Sequence, residues 1–300
     1  MSSSTRLAPS DRTGLLRSQL VDFLFVAPVL FLSVAIIIVP ALISLFRSTF
    51  DWQPGFESSF VGLENFATLF SDPVFHQVLR NQAVLLLVIP LWVIVPIVLA
   101  LILYEKVPAA GLFRIIFFLP AVMSAAVLGV LFRSVLALNG PVNSLLDAIG
   151  LDWLMSAWLS DPVLVKPVII LLIVWAGLGT GVIIFSAALS GVDPQLFEAA
   201  EIDGASWWQR LWAVAIPSIR HVVFLWTYLG LVTVFLFSFG WVYVLTKGGP
   251  GYASATVDFD VFQRAFGRGR FGLAAAEAVV LLGLFVLMIG TVRAIRRLRS

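Results

Sequence analysis

Six long apolar runs, separated by shorter polar segments, dominate the chain. Each run is longer than the roughly 20 residues that a helix needs to cross the hydrocarbon core of a bilayer. Because every backbone polar group must be satisfied within the bilayer, runs of this length are predicted to be helices. The pattern predicts an all-α, polytopic membrane protein with six transmembrane helices, at residues 21–46, 83–104, 112–135, 163–189, 219–245 and 271–292.

The two ends of the chain are polar. Residues 1–20 are rich in serine, and we expect them to form a disordered tail. The first apolar run is too long for the apolar region of a cleaved signal peptide, so we interpret it as an uncleaved span. Pro28 and Pro40 lie within that run and are expected to kink it. The chain closes on a basic tail, residues 293–300.

Two polar segments are too long to be simple turns. Residues 47–81 carry scattered acidic side chains and are predicted to lie outside the membrane. Residues 134–162 include Trp153 and Trp158, and tryptophan is enriched at membrane–water interfaces. We therefore expect a short helix along the membrane surface in the second segment, and not a further span.

Residues 193–217, between the fourth and fifth runs, are charged enough to require water and are predicted to form two short helices. Asp193 is a suitable N-cap, and Pro194 suits the first helical position. Gly204 can adopt the left-handed conformation that a reversal of the chain requires. A second helix is expected to begin near Ser206 and to continue until a proline interrupts it.

Tryptophans are concentrated in the second of these helices. Helical spacing is expected to place Trp208, Leu211, Trp212 and Ala215 on one side. Trp207, Trp208 and Trp212 are expected to brace the segment against the membrane ends of neighbouring spans. An ordinary amphipathic hairpin between spans would show the same periodicity.

The residue types and spacing of this segment resemble the EAA loop in the membrane subunits of binding-protein-dependent ABC importers. The resemblance rests on Glu198-Ala199-Ala200, on Gly204 and on the Val-Ala-Ile-Pro sequence at 214–217, where valine and isoleucine are conservative departures. In that family the loop forms a coupling helix that seats in a cleft of the ATPase subunit. The resemblance implies that contact with the ATPase is made by Glu198, Ala199, Ala200, Asp203, Gly204 and Pro217.

Weaker motifs point to the carbohydrate class of these permeases. The sequence FVGLENF at residues 60–66 resembles a signature that precedes the core spans of sugar-type permeases. Leu119-Pro120 in the third run and LTKGGP at residues 245–250 are similar to further features of that class. The resemblance extends over nearly the whole chain.

The resemblance implies a type I importer permease fold and a subunit that forms half of the translocation path for a sugar or related polyol-type solute. It also implies partners: a second permease subunit in a heterodimer, two ATP-binding cassette ATPase subunits and an extracytoplasmic solute-binding protein. No GxxxxGK[ST] motif occurs, so ATP and Mg²⁺ are expected on the ATPase chains and no cofactor on this one. We therefore expect a transport subunit and not an enzyme.

The resemblance also implies which residues line the substrate path, because their positions can be located by their spacing from the EAA loop. In sugar-type permeases the sugar site is lined from the middle of the spans before and after the EAA loop. Ordinary helix packing is an equal alternative; the small-xxx-small spacing of Gly177 and Gly181 lets helices approach closely or leaves room for a ligand. Aromatic and hydroxyl side chains suit a sugar. The corresponding positions are Ala176, Gly177, Thr180, Thr233, Phe235 and Ser238.

The distribution of lysine and arginine predicts the orientation of the chain in the membrane. If the six runs alternate in direction, a modest majority of the 19 lysines and arginines lies on the side that carries both termini and residues 193–217. The positive-inside rule then places both termini and that segment in the cytoplasm, in a bacterial-type inner membrane. The formal net charge of +2 argues against nucleic acid as a partner.

Candidate chemistry is sparse in a chain that is 60% hydrophobic and 12% charged. Without cysteine there are no disulfides or thiolate sites, and His76 and His221 are too far apart to predict a metal site. Glu277, in the sixth run, is an intramembrane carboxylate and hence a functional candidate. We favour the alternative that it lies near the interface, where it reaches water or pairs with Arg264 or Arg268. An ion-coupled secondary transporter, which would need a series of such groups, is the alternative function.

Overall fold

Helices make up most of the structure. The computed structural model describes residues 12–104, 117 and 119–298. A short antiparallel ladder pairs β1 (Phe50–Asp51) with β2 (Ser59–Phe60). Stretches of 3₁₀ helix cover Leu119–Val122 and Asp152–Leu154, and π-helical stretches cover Val34–Ile38, Leu211–Ala215 and Gln263–Gly267. The α-helices are α1 (Arg12–Ser33), α2 (Val39–Arg47), α3 (Glu64–Ser71), α4 (Pro73–Leu85), α5 (Val88–Tyr104), α6 (Ala125–Val135), α7 (Pro141–Ala148), α8 (Val165–Ser190), α9 (Pro194–Ile202), α10 (Trp207–Arg210), α11 (Ile216–Ser218), α12 (Arg220–Leu236), α13 (Ser238–Leu245), α14 (Val257–Phe262) and α15 (Phe271–Leu298).

The all-α prediction is confirmed, and the described residues contain four helical segments long and apolar enough to cross a membrane. A fifth is obtained if Trp207–Ser218 and Arg220–Leu236, which meet at 85°, count as one span. The second segment begins earlier than predicted because Asp72 caps it, its Oδ1 accepting from the N–H of Val74 at 2.8 Å. The four segments match the first, second, fourth and sixth apolar runs and lie at Phe23–Arg47, Pro73–Tyr104, Val165–Ser190 and Phe271–Ile295.

The third and fifth apolar runs form shorter helices. In the third run, residues 112–116 and 118 lie outside the described residues; the part that follows contains a 3₁₀ turn and α6. The fifth run is broken at Phe237, which separates α12 from α13. We refer to this interruption as the helix break.

The N-terminal segment differs from the prediction. Residues 1–11 lie outside the described part of the chain, but α1 begins at Arg12, so the second half of the expected disordered tail is helical. The helix runs through Pro28, and a π-helical turn directly precedes the α2 turn that contains Pro40. Proline cannot supply an amide N–H, and a wider turn accommodates that loss. No residue between 23 and 47 is buried, so this apolar segment lies against the bundle with most of its surface uncovered.

The C-terminal helix is longer than predicted. It continues to Leu298, so most of the expected basic tail at residues 293–300 extends α15. Basic residues at a helix C-terminus interact favourably with the helix dipole, which accounts for the extension.

The core is built around close approach of α5, α8 and α12. The indole of Trp92 lies directly over Gly177, where a Cβ would come within 2.1 Å of the ring, and Gly181 packs on Pro96 in the same way at 2.7 Å. Trp226 stacks on Trp92 with ring centroids 5.2 Å apart and donates from Nε1 to the Trp92 carbonyl oxygen at 2.8 Å. The small-xxx-small spacing of the two glycines therefore serves helix packing.

The segment between α6 and α8 contains the predicted short helix, α7. Buried Asn143 organises this segment, because its Nδ2 donates to the carbonyl oxygens of Leu138 and Ser156. Its Oδ1 accepts from the indole of Trp158 at 2.8 Å, whereas Trp153 is exposed. The amide of one side chain thus fixes a loop that has little regular structure of its own.

Candidate functional site

Residues 193–217 form a helical hairpin, as the sequence predicts. Asp193 caps α9, its Oδ1 accepting from the N–H of Gln195 at 3.0 Å, and Pro194 occupies the first helical position. Phe197 is 9% exposed and its ring lies 5.4 Å from that of Tyr104 at the end of α5. The first helix of the hairpin is therefore anchored to the bundle by one aromatic contact.

The turn between the two helices is fixed by backbone geometry. Gly204 has a φ of +75°, and nothing lies within 4 Å of the position that a Cβ would take. The requirement for glycine is therefore conformational and not steric. The turn is closed by bonds from Ala205 N–H to the Ala200 carbonyl oxygen at 2.9 Å and from Gly204 N–H to the Glu201 carbonyl oxygen at 3.0 Å.

The second helix starts with a capping box. Ser206 Oγ accepts from the N–H of Gln209, and Gln209 Oε1 accepts from the N–H of Ser206 at 2.7 Å. A π-helical turn follows at Leu211–Ala215, and α11, which contains Pro217, ends at Ser218. The chain then turns by 85° into α12.

The prediction for the face of the second helix is wrong in part. Leu211 and Ala215 are buried, whereas Trp208 and Trp212 are 58% and 54% exposed. The buried pair and the exposed pair are each four residues apart, so they lie on adjacent parts of the helix surface, and only the first pair faces the bundle. The half-buried Trp207 packs on the core, so the expected bracing role holds for Trp207 alone among the three tryptophans.

The residues that the family resemblance singles out lie together on the hairpin. Glu198, Ala199, Asp203 and Gly204 are exposed around the turn, and Ala200 is partly covered. The exposed side chain of Glu201 lies 3.7 Å from Arg210 across the hairpin. Exposed Pro217 lies at the base, beside the bend into α12. The hairpin therefore presents a polar, small-residue surface on a fixed support.

Of the proposed path residues on α8, two contribute to helix packing and one lies on the surface. Ala176 and Gly177 are half-buried, and the Trp92 indole covers Gly177. Thr180 is exposed. Of the three proposed path residues on this helix, only the threonine presents a polar side chain to the outside.

The proposed path residues after the hairpin surround the helix break. Thr233 is half-buried and its hydroxyl donates to the Leu229 carbonyl oxygen at 3.0 Å. Phe235 is buried, with its ring 5.8 Å from that of Phe285. Ser238 is also buried, and its hydroxyl donates to a carboxylate of the chain itself. Phe237, which the sequence did not single out, is 65% exposed at the break.

Two polar side chains, one buried and one half-buried, hold the helix break, and sequence reasoning missed both. Gln82 Nε2 donates to the Val234 carbonyl oxygen at 2.9 Å, and its Oε1 accepts from the N–H of Val257 at 3.2 Å. Asp258 accepts from Ser238 Oγ at 2.9 Å and from the N–H of Phe239 at 2.6 Å. Gln82 shares α4 with several other polar residues, so no local pattern in the sequence distinguished it.

Asp258 sits in an environment that disfavours its charge. Burial raises the pKa of the carboxyl above its ordinary value, although hydrogen bonds from Thr256 and Ser238 oppose that shift. The carboxyl caps the N-terminus of α13, where the helix dipole favours a negative charge.

A buried charged cluster lies beside the helix break, and we call it the Arg264 cluster. The guanidinium of Arg264 is 1% exposed and contacts three carboxylates. Its Nη2 donates to Asp72 Oδ2 at 2.8 Å, and its Nε lies 2.8 Å from Asp260 Oδ2 and 2.8 Å from Glu277 Oε2. Of the alternatives for Glu277, pairing with Arg264 is confirmed, while Arg268 instead donates to the hydroxyl of Tyr252.

The chain matches one family over most of its length. A model of the family described as binding-protein-dependent transport system inner membrane component matches residues 61–300. The lactose transport system permease protein LacF of Rhizobium radiobacter is 33% identical over 287 residues, covering 94% of this chain and 95% of that protein. The probable ABC transporter permease protein YurN of Bacillus subtilis (strain 168) is 32% identical over 271 residues, covering 89% and 92%.

Further similarity supports the same assignment. The diacetylchitobiose uptake system permease protein NgcF of Streptomyces coelicolor is 31% identical over 320 residues, covering 98% of this chain and 89% of that protein. The fold matches a crystal structure of a bacterial ABC transporter involved in the import of the acidic polysaccharide alginate, with a TM-score of 0.80 and 21% identity over 95% of this chain and 97% of that one. A second structure, of the bacterial alginate ABC transporter with an alginate pentasaccharide-bound periplasmic protein, gives a TM-score of 0.79, with 21% identity over 96% and 98%.

These matches decide between the two functions that the sequence left open. An ion-coupled secondary transporter belongs to a different class from this family, and the relatives are transport permease subunits, not enzymes. The fold is that of a type I importer permease. The chain therefore belongs to the binding-protein-dependent transport system inner membrane components, as a multi-pass permease subunit of an ABC importer.

Proposed function

We propose that this chain forms half of the translocation path of a sugar importer and that the hairpin 193–217 couples this path to a separate ATPase. The proposal rests on the contrast between the exposed turn of the hairpin and its buried base. Its turn is exposed around Glu198 and Gly204, whereas its base is held by buried Phe197, Leu211 and Ala215. A contact surface on a rigid support is what a relay of motion requires.

The supports of the hairpin suggest where motion would travel. Phe197 contacts Tyr104 at the end of α5, so displacement of α9 would act on α5. The second helix leads through α11 directly into α12 at the 85° bend. Helices α5 and α12 are joined by the stacked Trp92 and Trp226, so the hairpin would act on both helices together. Closure of an ATPase dimer on ATP binding would supply the force.

The assembly we propose has two permease subunits, two ATPase subunits that carry ATP and Mg²⁺, and an extracytoplasmic binding protein. The uncovered apolar surface of residues 23–47 is available for lipid and for the second permease subunit. Placing both termini and the hairpin in the cytoplasm agrees with the arginines at the end of α15.

A sugar is the solute class that relatives favour, because LacF is named for lactose and NgcF for diacetylchitobiose. Thr180 and the exposed Phe237 at the helix break supply the hydroxyl and aromatic groups that suit a sugar. Ala176, Gly177 and Thr233 would border the same path. Phe235 and Ser238 would contribute by supporting the break, since both side chains are buried.

Cross-linking tests the coupling role directly, because the chain contains no cysteine. Ala199→Cys places a single thiol on the exposed turn, and Ser58→Cys places one on an exposed segment outside the hairpin as a matched control. We expect the first variant, and not the second, to cross-link to the ATPase subunit in membranes. If Ser58→Cys cross-links to the ATPase subunit and Ala199→Cys does not, the orientation in the membrane is the opposite of the one proposed.

Function is tested with Glu198→Lys and with Gly204→Trp, for which Glu57→Lys is the surface control. Both hairpin variants are expected to insert into the membrane, to lose co-purification with the ATPase and to lose sugar uptake. The first reverses the charge of the contact surface, and the second forces a side chain into a positive-φ position. Normal uptake by both variants would refute the coupling role.

A further inference from the structure

A basic pocket lies in the loop between α13 and α14. The loop is held by its own side chains, since Thr246 Oγ1 and Ser254 Oγ are 2.7 Å apart and Ser254 Oγ donates to the Gly249 carbonyl oxygen at 2.6 Å. Gln77 Nε2 and Asn81 Nδ2, both on α4, donate to the loop carbonyl oxygens of Gly251 and Tyr252. The pocket walls are therefore supported from two elements.

The pocket has a volume of about 310 Å³ and is open to the surface. Its lining includes Lys247, Gly248, Tyr252, Gln263 and Arg268. A Cβ at Gly248 would come within 2.5 Å of the Phe259 ring, so the floor of the pocket has no room for another side chain. The volume is at the lower end of the range for ligand sites, which fits one side chain or a small ion better than an oligosaccharide.

Backbone strain is concentrated at this pocket. Among the described residues, Lys247 and Tyr252 are the non-glycine residues with positive φ, at 51° and 65°, and both line it. Such conformations are unfavourable for L-residues and persist where the surrounding structure enforces them, as at binding sites. Two strained residues in one wall indicate that their side chains are held in place for binding.

The pocket carries uncompensated positive charge. The side chains of Lys247 and Arg268 are exposed, and within the described residues no carboxylate forms an ion pair with either of them. Tyr252 accepts a hydrogen bond from Arg268 and lies below its guanidinium, which fixes that cation at the pocket wall. Asp72 is near Arg268, but its carboxylate is engaged by Arg264 and by the N–H of Val74.

The pocket and the hairpin lie at opposite ends of the bundle. The segment Pro73–Tyr104 connects the two, because Gln77 near its start bonds to the pocket loop and Tyr104 at its end contacts Phe197 of the hairpin. If the hairpin faces the ATPase, as proposed above, the pocket faces the side from which the binding protein delivers solute.

We propose that the basic pocket receives a carboxylate side chain of the extracytoplasmic binding protein when that protein docks. The inference rests on the proposed function for its orientation. An ammonium and a guanidinium offer only hydrogen-bond donors, so an aspartate or glutamate satisfies both. Charges exposed at the rim also speed association and select the partner, which suits a protein that docks and leaves in every cycle.

The test uses the complete importer reconstituted in nanodiscs and its labelled, liganded binding protein. Lys247→Glu and Arg268→Glu are compared with Arg270→Glu, an exposed cation near the same loop that does not line the pocket. We expect each pocket variant to weaken binding by about tenfold or more and to reduce the dependence of affinity on salt. The control is expected to change affinity by less than about twofold.

Lys247→Asn separates charge from backbone effects. Asparagine tolerates positive φ better than most residues, so this variant removes the charge and retains the loop conformation. We expect it to weaken binding while the importer still co-purifies with its ATPase. An affinity equal to that of the unmodified importer would refute a role for the Lys247 charge.

The outcomes distinguish failure of the inference from failure of the proposed function. If the unmodified importer binds no binding protein, the proposed function fails. If it binds and the double variant Lys247→Glu with Arg268→Glu binds equally well, the pocket inference is wrong and the proposed function stands. If inorganic phosphate occupies the pocket but neither phosphate nor the variants alter docking, the pocket is a site for free anions and the inference is equally overturned.

Discussion

The side chain of Gln82 donates to the carbonyl oxygen of Val234 at 2.9 Å, across 152 residues of sequence. In a continuous helix that carbonyl would accept from the N–H of residue 238, but the chain is broken at Phe237. The same amide accepts from the N–H of Val257 through its Oε1. One buried side chain thus satisfies the carbonyl left free on the α12 side of the helix break and joins it to the start of α14, while Asp258 accepts from the N–H of Phe239 on the α13 side.

Gln82→Leu is expected to destabilise the protein, because it leaves the Val234 carbonyl and the Val257 N–H buried without partners. Each unsatisfied group costs about 1–3 kcal/mol. Thermal unfolding of the detergent-solubilised chain measures the effect. Gln77→Leu, which removes a surface amide bonded to Gly251, is the control and should shift the midpoint little. Equal midpoints for the two variants would contradict the role assigned to Gln82.

The Arg264 cluster should respond asymmetrically to loss of its members. Arg264→Met leaves Asp260 and Glu277 as buried carboxylates without a cation, which is expected to cost about 3–5 kcal/mol. Glu277→Gln keeps the shape and leaves Arg264 paired with two carboxylates, so its cost should be under about 1.5 kcal/mol. Chemical denaturation of the two variants gives the comparison, and a larger loss for Glu277→Gln would show that the cluster is assigned wrongly.

Asp72 should make part of the stability dependent on acid pH. Partial burial alone would raise its pKa, but the hydrogen bonds from Arg264 and from the N–H of Val74, together with nearby positive charge, lower it below the ordinary value of 3.8. A lowered folded-state pKa contributes stability above the unfolded pKa, and this contribution is lost as pH falls through the folded pKa. Asp72→Asn lacks that contribution.

The unfolding midpoints of the unmodified chain and of Asp72→Asn should therefore differ near neutral pH and converge as the pH falls below 3.8. Melting curves over a series of acid buffers measure this convergence. A constant difference down to the lowest pH would exclude Asp72 as the titrating group.

Two glycines in transmembrane helices should respond in opposite directions to alanine. At Gly177 the new Cβ would lie 2.1 Å from the Trp92 ring, so Gly177→Ala must displace a buried indole and is expected to cost about 1–3 kcal/mol. At Gly283 nothing lies within 4 Å, and Gly283→Ala should stabilise the helix by up to about 1 kcal/mol. Thermal stability of the pair measures both, and a neutral Gly177→Ala would mean that α5 and α8 pack less closely than described.

Local features of the hairpin could be predicted from sequence because their causes are local. The cap at Asp193, the reversal at Gly204 and the start at Ser206 each depend on residues within a few positions. The exposure of Trp208 and Trp212 could not be predicted, since helical spacing placed them on one side with Leu211 and Ala215, and only packing against the bundle decides which part of that side is buried.

The supports of the helix break and the Arg264 cluster required the tertiary structure. Arg264 and Asp72 are 192 residues apart in the sequence, and Gln82 and Val234 are 152 apart. No periodicity or spacing connects positions so far apart in the chain. Glu277 could be recognised as exceptional from its apolar surroundings, but its partner was one of two candidates until the structure placed Arg264 beside it.

The stacked indoles of Trp92 and Trp226 can serve as an intrinsic spectroscopic probe of helix position. Two parallel chromophores this close couple electronically, so circular dichroism in the ultraviolet should contain a paired band that depends on their separation and tilt. Because one ring belongs to α5 and the other to α12, any sliding of these helices during transport would alter that band. Rearrangement of the bundle could then be followed without attaching a dye.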